Sequence, residues 1–415
     1  MEDNTLEQIL TRSNLQQAWR NVRANGGAAG VDGKTIDDTR EHLKQHWPGI
    51  AAKLHAGEYR PAAVRAVQIP KARGGYRTLG IPTVQDRVIQ QAILQTLTAV
   101  FDGEMSEYSY GFRPGRSAQQ AVQAARGYVA AGKKWVVDID LKSFFDQVDH
   151  DKLMHAVARK VRDKTLLRLI ANYLRAPLQG TDGKPQPRLR GTPQGGPLSP
   201  LLANIYLDPL DRELEQRGVA FVRYADDIAI FVSSERAALR VLENVIEWIE
   251  KHLKLEVNRD KSGVGPSGTG QLLGFRIHQT GDVSIAPHAV ERMKAKVRQL
   301  WDARQSLTLE AVRQQWQRYT RGWWNYFSYA NWRAGVIRLG GWIRRHVRKY
   351  LWLRWHNRQG RRNALERLGV TGRGLGVAGC RRGAWAMARN VVVQQALKTK
   401  TLNRYGFTLP WELAA

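Results

Sequence analysis

The sequence predicts an α+β protein, in which helices and hairpin-forming strands are followed by a helical region. Three observations predict it. Helical periodicity of apolar residues occupies 6–25 and 83–100. Short runs rich in β-branched and aromatic residues occupy 134–146 and 221–232 and predict strands. In the second half, 342–356 again repeats its apolar residues at helical spacing.

The composition is that of a globular protein. The chain has 415 residues, of which 43% are hydrophobic and 25% charged, enough for two to four domains. It contains no run of about 18 apolar residues such as a membrane span needs, and residues 1–10 lack the pattern of a secretory signal. Its single cysteine, Cys380, cannot form an internal disulfide. We therefore predict a cytoplasmic protein with no membrane partner.

The charge indicates a polyanionic partner. The 65 Lys and Arg against 37 Asp and Glu give a net charge of +28. Residues 281–415 hold 26 of these basic residues, only 6 of the acidic ones and 10 of the 14 tryptophans. Basic residues interleaved with aromatic ones suit phosphate contacts combined with base stacking. A basic surface over a tryptophan-rich core is the alternative, and nucleic-acid binding explains the excess charge better.

The elements follow in order along the chain. The helix 6–25 is predicted to end at Gly26–Gly27, and residues 59–82 predict a β-hairpin with a basic tip at 71–75. Ser199 with Pro200 predicts an N-cap and first turn for a helix launched from the loop 191–197. After residue 371 a loop is expected, and 384–402 is predicted to be helical.

Four acidic residues mark a candidate cation site. Asp138 and Asp140 lie two positions apart on a predicted strand, so their side chains share one face and repel each other. Asp226 and Asp227 stand between two apolar strands, at the turn of a predicted hairpin. Carboxylates are preferred ligands of hard cations, and a pair of such cations about 3.5–4 Å apart is a phosphoryl-transfer site.

These residues belong to a series of motifs that resembles group II intron reverse transcriptases. The motifs, in chain order, are KARGGYRTLGIPTVQDRVIQQAI, SYGFRPGRS, DLKSFFD, GTPQGGPLSPLLANIYLDPLD, YADD, LEVNRDKS, LLGF and RGWWNYF. The last is similar to the maturase, or thumb, domain of that family. The resemblance implies a right-hand polymerase with fingers, an antiparallel-sheet palm and a helical thumb.

The resemblance also implies a metal site. Asp140, Asp226 and Asp227 match the catalytic acids that bind two Mg²⁺ ions, with Mn²⁺ as a substitute, and the carbonyl of Leu141 matches a further ligand. Asp138 competes with Asp140 for this role. We prefer Asp140 because an aromatic residue follows it five positions later, as in reverse transcriptases, and we expect Asp138 to form a salt bridge or to serve as an outer acid.

For the nucleotide and the nucleic acid, the resemblance implies two further sets of residues. The nucleotide site is assigned to Lys71, Arg77, Phe145, Gln194, Tyr224 and Lys261. Phe145 matches the ring that excludes a ribose 2′-hydroxyl, and Lys261 matches a proton donor to the leaving pyrophosphate. A core phenylalanine and a surface lysine are the alternatives. Nucleic-acid contacts are assigned to Arg113, Arg116, Arg344, Arg345, Arg348 and Lys349, the last four on the predicted surface of the helix 342–356.

The implied organisation is a fingers and palm region over 1–280, a thumb or maturase domain over 281–370, and a small basic DNA-contacting tail over 371–415. The implied function is RNA-directed DNA synthesis for intron mobility, together with assisted splicing of the intron RNA. The partners would be intron RNA, RNA template, DNA primer or target DNA, and dNTPs, with the oligomeric state left open. One cysteine and no clustered histidines argue against the endonuclease of many relatives, as in the compact class C type. A splicing-only maturase and a polymerase without an intron remain alternatives.

Overall fold

The computed structural model describes residues 5–70, 75–180 and 182–413. The chain forms two compact units, Met1–Pro266 and Ser267–Ala415. This division falls before the predicted boundary at 280, because the segment after Pro266 packs in the second unit, where the Phe275 ring contacts Tyr326 and Phe327. Residues 371–413 also lie inside the second unit and do not form a unit of their own.

The first unit is mixed in secondary structure. Its α-helices are α1 (Leu6–Ile9), α2 (Arg12–Asn25), α3 (Ile36–His55), α4 (Val84–Phe101), α5 (Ala118–Ala130), α6 (Phe144–Gln147), α7 (His150–Ala158), α8 (Lys164–Arg175), α9 (Ser199–Gln216) and α10 (Glu235–Trp248). Its strands are β1 (Val64–Pro70), β2 (Tyr76–Ile81), β3 (Trp135–Asp140), β4 (Leu178–Gln179), β5 (Pro185–Gln186), β6 (Ala220–Tyr224), β7 (Asp227–Val232) and β8 (Gly263–Pro266). Short 3₁₀ and π-helical turns follow α4 and α10.

The N-terminal predictions are largely confirmed. The helix predicted over 6–25 is interrupted at Leu10–Thr11 but ends at Gly26, whose amide donates to the carbonyls of Val22 and Arg23. Helix α4 matches the helix predicted over 83–100, and the Thr83 hydroxyl caps it. Strands β1 and β2 form the predicted hairpin, and β4 and β5 extend it to a sheet in the order β2-β1-β4-β5. The hairpin tip, 71–74, lies outside the described residues.

The central sheet has the order β6-β7-β3-β8, and all its pairs are antiparallel. Helices α5, α9 and α10 contact it. Val137 and Ile139 of β3 are buried in the core, whereas Asp138 and Asp140 alternate with them and are only half-buried. The period-two pattern thus separates core from acids as the sequence predicts.

The second unit is mainly helical. A hairpin of β9 (Phe275–Ile277) and β10 (Val283–Ile285) precedes α11 (Pro287–Leu300), α12 (Leu309–Phe327), α13 (Arg333–Arg354), α14 (Arg358–Arg367), α15 (Ala384–Met387), α16 (Val391–Ala396), α17 (Thr399–Arg404) and α18 (Pro410–Leu413). Its core is aromatic, since Trp301 contacts Trp316, Tyr350 and Phe407. The single helix predicted over 384–402 is wrong: three short helices occupy it, one beginning where the Asn390 side chain accepts from two amides.

Two further observations concern the chain as a whole. Among the described residues, no helix is both long and apolar enough to cross a bilayer. Cys380 carries a free thiol and is half-buried.

Candidate active site

Three carboxylates meet at one end of the central sheet. Asp140 is the last residue of β3, and Asp227, the first residue of β7, is its partner across the antiparallel pair. Directly opposed residues of such a pair have Cβ atoms about 4.5–5.5 Å apart. Asp226 directly precedes Asp227 and lies in the two-residue loop between β6 and β7. The fold therefore brings Asp140 to an acidic pair that lies 86 positions further along the sequence.

The electrostatics of this cluster are unfavourable without a cation. Partial desolvation, followed by repulsion from Asp226 and Asp140, raises the pKa of Asp227 to about 6. Burial and repulsion from Asp140 also raise the pKa of Asp226, and the positive charge of Arg223 partly offsets this. Such a cluster favours groups that bring positive charge.

Asp138 lies deeper than the other acids. Burial first, and then the charge of Asp227, raises its pKa to about 6. No ion pair joins Asp138 to any cation within the described part of the chain, so the salt bridge expected for it is not formed there. It shares a face of β3 with Asp140, and its role as an outer acid stays a prediction.

The turn that carries Asp226 depends on buried polar contacts. Tyr224 pairs with Asp227, which leaves Ala225 and Asp226 as the loop, and Ala225 has a φ of +58°. Alanine adopts this left-handed conformation only at a cost. Gly111 packs against this backbone so closely that a Cβ on it would lie 2.3 Å from the Ala225 nitrogen.

The fully buried side chain of Arg223 anchors this turn through hydrogen bonds. Its guanidinium donates to both carboxylate oxygens of Asp211 at 2.7 and 2.5 Å, and both side chains are fully buried. It also donates to the Ala225 carbonyl at 3.0 Å and to the Asn204 side-chain oxygen at 2.9 Å. The Asn204 amide in turn donates to the carbonyl of Gly111. Sequence analysis missed these residues, although a charged residue within the apolar runs AFVRYA and LDPLD was a signal of buried pairing.

The backbone next to Asp140 is anchored by the segment 256–262. Asp140 donates its amide to the Ser262 hydroxyl and accepts from the Asn258 amide. Leu141 forms an isolated bridge with Val257, and the two flanking hydrogen bonds use the Asp140 carbonyl and the Lys142 amide, so the bridge does not engage the Leu141 carbonyl. The ammonium of Lys261 lies 4.0 Å from Asp140 Oδ1. Leu141 and Lys261 thus lie beside the acids, as the resemblance implied.

A cavity of about 510 Å³ is lined by two residues predicted for the nucleotide site, Phe145 and Gln194. Phe145 is half-buried in α6, and its carbonyl accepts from the Thr192 amide. The Gln194 carbonyl accepts from the Gly80 amide of β2, which connects the loop 191–197 to the sheet β2-β1-β4-β5. The predicted cap of α9 is corrected by one residue: Leu198 is the N-cap, and the Ser199 hydroxyl donates to the Pro193 carbonyl instead.

The remaining predicted nucleotide residues differ in position. Tyr224 ends β6 beside the acids and is half-buried, and Arg77 is exposed on β2 opposite Ile69. Lys71 lies outside the described residues.

Several of the predicted nucleic-acid contacts have structural partners. Arg113 is buried and donates to Asp102 and to the carbonyls of Ser106 and Ser109, and Arg348 is buried and donates to the Leu397 carbonyl. The predicted surface position of Arg348 is therefore wrong, because its guanidinium satisfies a buried carbonyl. The nucleic-acid contact assigned to Arg113 stays a prediction.

The other four basic residues are more accessible. Arg344 pairs with Glu412, Arg116 lies over the Tyr110 ring, and Arg345 and Lys349 are half-buried. Their contact with nucleic acid stays a prediction.

An antiparallel sheet with three acids at its hairpin is the palm of a template-directed polymerase. The model of the reverse transcriptase (RNA-dependent DNA polymerase) family matches residues 69–277, and that of the group II intron maturase-specific domain matches residues 290–369. The chain therefore belongs to the group II intron reverse transcriptase and maturase family.

The chain is also similar to individual proteins. Protein YkfC of Escherichia coli is 31% identical over 304 residues, which cover 63% of this chain and 80% of YkfC. The group II intron-encoded protein LtrA of Lactococcus lactis is 34% identical over 253 residues, which cover 60% of this chain but only 40% of LtrA. A solved structure of apo telomerase from Candida tropicalis overlaps 58% of this chain and 60% of its own, at 13% identity and a TM-score of 0.42.

Whether the site fits a cation depends on its donor set. The three carboxylates supply the hard oxygen ligands that Mg²⁺ prefers, in an environment that raises the pKa of two of them. Within the described ranges, no three His, Cys, Asp or Glu side chains are already grouped closely enough to hold an ion. The three carboxylates therefore fit a divalent cation in donor chemistry and charge, although they are not grouped as a ready-made ion site.

Proposed function

We propose that the protein is an RNA-directed DNA polymerase that extends a DNA primer 3′-hydroxyl with dNTPs on an RNA template. The observation that carries the proposal is the cluster of Asp140, Asp226 and Asp227 at the end of the palm sheet, together with the match to the reverse transcriptase family. In this proposal the three carboxylates and the Leu141 carbonyl hold two Mg²⁺ ions, with Mn²⁺ as a substitute. Bound divalent cations supply activation of the attacking hydroxyl and neutralisation of the leaving pyrophosphate.

In this proposal, protein side chains donate the proton to the leaving group and bind and position the nucleotide. Lys261, 4.0 Å from Asp140, is placed to donate a proton to the leaving pyrophosphate. Lys71 binds the triphosphate as a point charge, and Arg77 binds it as a forked donor. Phe145 lines the cavity and excludes a 2′-hydroxyl by steric contact, while Gln194 and Tyr224 position the nucleotide.

The test replaces one acid by its amide. Asp226→Asn keeps the size of the side chain but removes its charge, and we expect primer extension to fall at least about a thousandfold, or roughly 4 kcal/mol in activation free energy. Asp151→Asn, an exposed acid on α7, is the matched control and should extend normally. Near-normal extension by the Asp226 variant contradicts the assignment of the site.

We further propose that the protein binds the RNA of a group II intron and assists its splicing, with target-primed DNA synthesis as the mobility step. The match of residues 290–369 to the maturase-specific domain supports this. The test measures excision of the intron from a transcript that spans the gene and its flanking sequences, at low Mg²⁺, with and without the purified chain. Excision only with protein supports the proposal, and primer extension without any excision favours a polymerase that has no intron.

A further inference from the structure

Phe112 is an exposed aromatic residue on the rim of the cavity that Phe145 and Gln194 line. It is 52% exposed although the neighbouring residues, Gly111 and Arg113, are buried. Its φ is +59°, a left-handed conformation that is rare for a bulky side chain. Because the exposed ring packs against little of the protein, it adds little to stability that could offset the backbone strain. Stability of the fold therefore does not explain a phenylalanine at this position.

Buried contacts on both sides hold this backbone in place. The Asn204 side chain donates to the Gly111 carbonyl at 2.8 Å. Arg113 donates to Asp102 Oδ1 at 2.7 Å and to the carbonyls of two serines in the same loop. Strained conformations persist where surrounding structure over-determines them, and they concentrate at functional sites. The loop is thus built to present the Phe112 side chain.

The cavity offers what a planar polar ring needs. Phe112 and Phe145 are the aromatic residues in its lining, and Gln194 adds an amide. Arg87, also in the lining, is mostly buried, and its guanidinium donates to the carbonyls of Gly26 and Ala28. Aromatic stacking surfaces next to an amide that can donate and accept suit a nucleobase.

We propose that Phe112 stacks on a nucleobase at the polymerase site, which rests on the polymerase function proposed above. The base belongs either to the incoming dNTP or to the template strand, and both present the same planar face. Phe112 then determines how tightly the site holds the base pair being formed, in addition to the predicted sugar contact of Phe145.

The test compares three variants of the full chain. Phe112→Gly removes the ring and the backbone strain, Phe112→Leu keeps apolar bulk without a ring, and Phe112→Tyr keeps the ring. Lys254→Gly relaxes another left-handed residue of the same unit and serves as the control for strain. The readouts are the melting temperature, the KM for dNTP on an RNA template, and the Kd for primer–template duplex.

We expect Phe112→Gly and Phe112→Leu to raise either the KM for dNTP or the Kd for duplex about tenfold. In Phe112→Tyr both constants should stay within about twofold of the wild type. A higher KM for dNTP assigns the stacked base to the incoming nucleotide, and a higher Kd for duplex assigns it to the template strand. The melting temperature of Phe112→Gly should not fall, since strain is relieved. Unchanged constants in Phe112→Gly, or full activity of Phe112→Leu, overturn the inference, whereas an inactive wild-type chain contradicts the polymerase function instead.

Discussion

The buried pair of Arg223 and Asp211 provides the sharpest test of how the acidic turn is held. Asp211→Ala removes both acceptor oxygens, which receive hydrogen bonds of 2.7 and 2.5 Å, and leaves a fully buried guanidinium without its carboxylate. The double variant Asp211→Leu with Arg223→Met replaces both charges by apolar side chains. The two variants separate the stability of the palm from the position of the turn.

The magnitude follows from burial. Removing one partner of a fully buried ion pair costs about 3–5 kcal/mol, while replacing both partners by apolar residues is often neutral or stabilising. For a unit of this size 1 kcal/mol corresponds to roughly 2–4 °C in melting temperature, so Asp211→Ala should lower it by roughly 6–20 °C. The double variant should recover most of that loss. It should not recover activity, because the Ala225 carbonyl and Asn204 lose the donor that Arg223 supplies.

The assay combines thermal unfolding with single-turnover primer extension, measured well below the melting temperature of the weakest variant. We expect extension by the stable double variant to be at least about tenfold slower than by the wild type. A double variant that regains both stability and the wild-type rate refutes the role of Arg223 in positioning the turn. A loss below about 1 kcal/mol in Asp211→Ala refutes the energetic argument.

Three further predictions concern other parts of the chain. Asp140→Asn should reduce extension at least about a thousandfold and Asp138→Asn by less than about tenfold, and the reverse order would make Asp138 the ligand. Phe145→Val should raise ribonucleotide incorporation, measured as the ratio of kcat/KM for rNTP and dNTP; an unchanged ratio removes Phe145 as the steric gate. Burial, followed by the charges of Lys349, Arg298 and Arg345, lowers the pKa of His346 to about 4. Between about pH 6.5 and pH 4, the unfolded chain therefore binds a proton at this histidine that the folded chain does not bind. Stability should therefore fall as the pH drops through that window, and His346→Gln should flatten this dependence in thermal unfolding; an equal slope in the variant contradicts it.

The central sheet and its acids were largely predictable from the sequence. Period-two alternation in β3 separates Val137 and Ile139 from Asp138 and Asp140, and the two apolar runs around Asp226 form the predicted hairpin. These signals are local, since they depend on side chains a few residues apart.

Long-range partners were not predictable in this way. The pairing of Arg223 with Asp211, the anchoring of Asp140 by Ser262 and the close approach of Gly111 to Ala225 join segments that only the fold brings together. The same limit explains the error at Arg348. Helical periodicity placed it off the apolar stripe, but Leu397, 49 positions further along the chain, offers its backbone carbonyl to the Arg348 guanidinium.

The measurement that tests the central claim most directly is the addition of single nucleotides to a DNA primer annealed to an RNA template by the purified chain. The account predicts that, with Mg²⁺ present, only the dNTP complementary to the first template base extends the primer, and that chelation of Mg²⁺ stops the reaction. A chain that binds the duplex tightly but adds no nucleotide with Mg²⁺ or Mn²⁺ would contradict it.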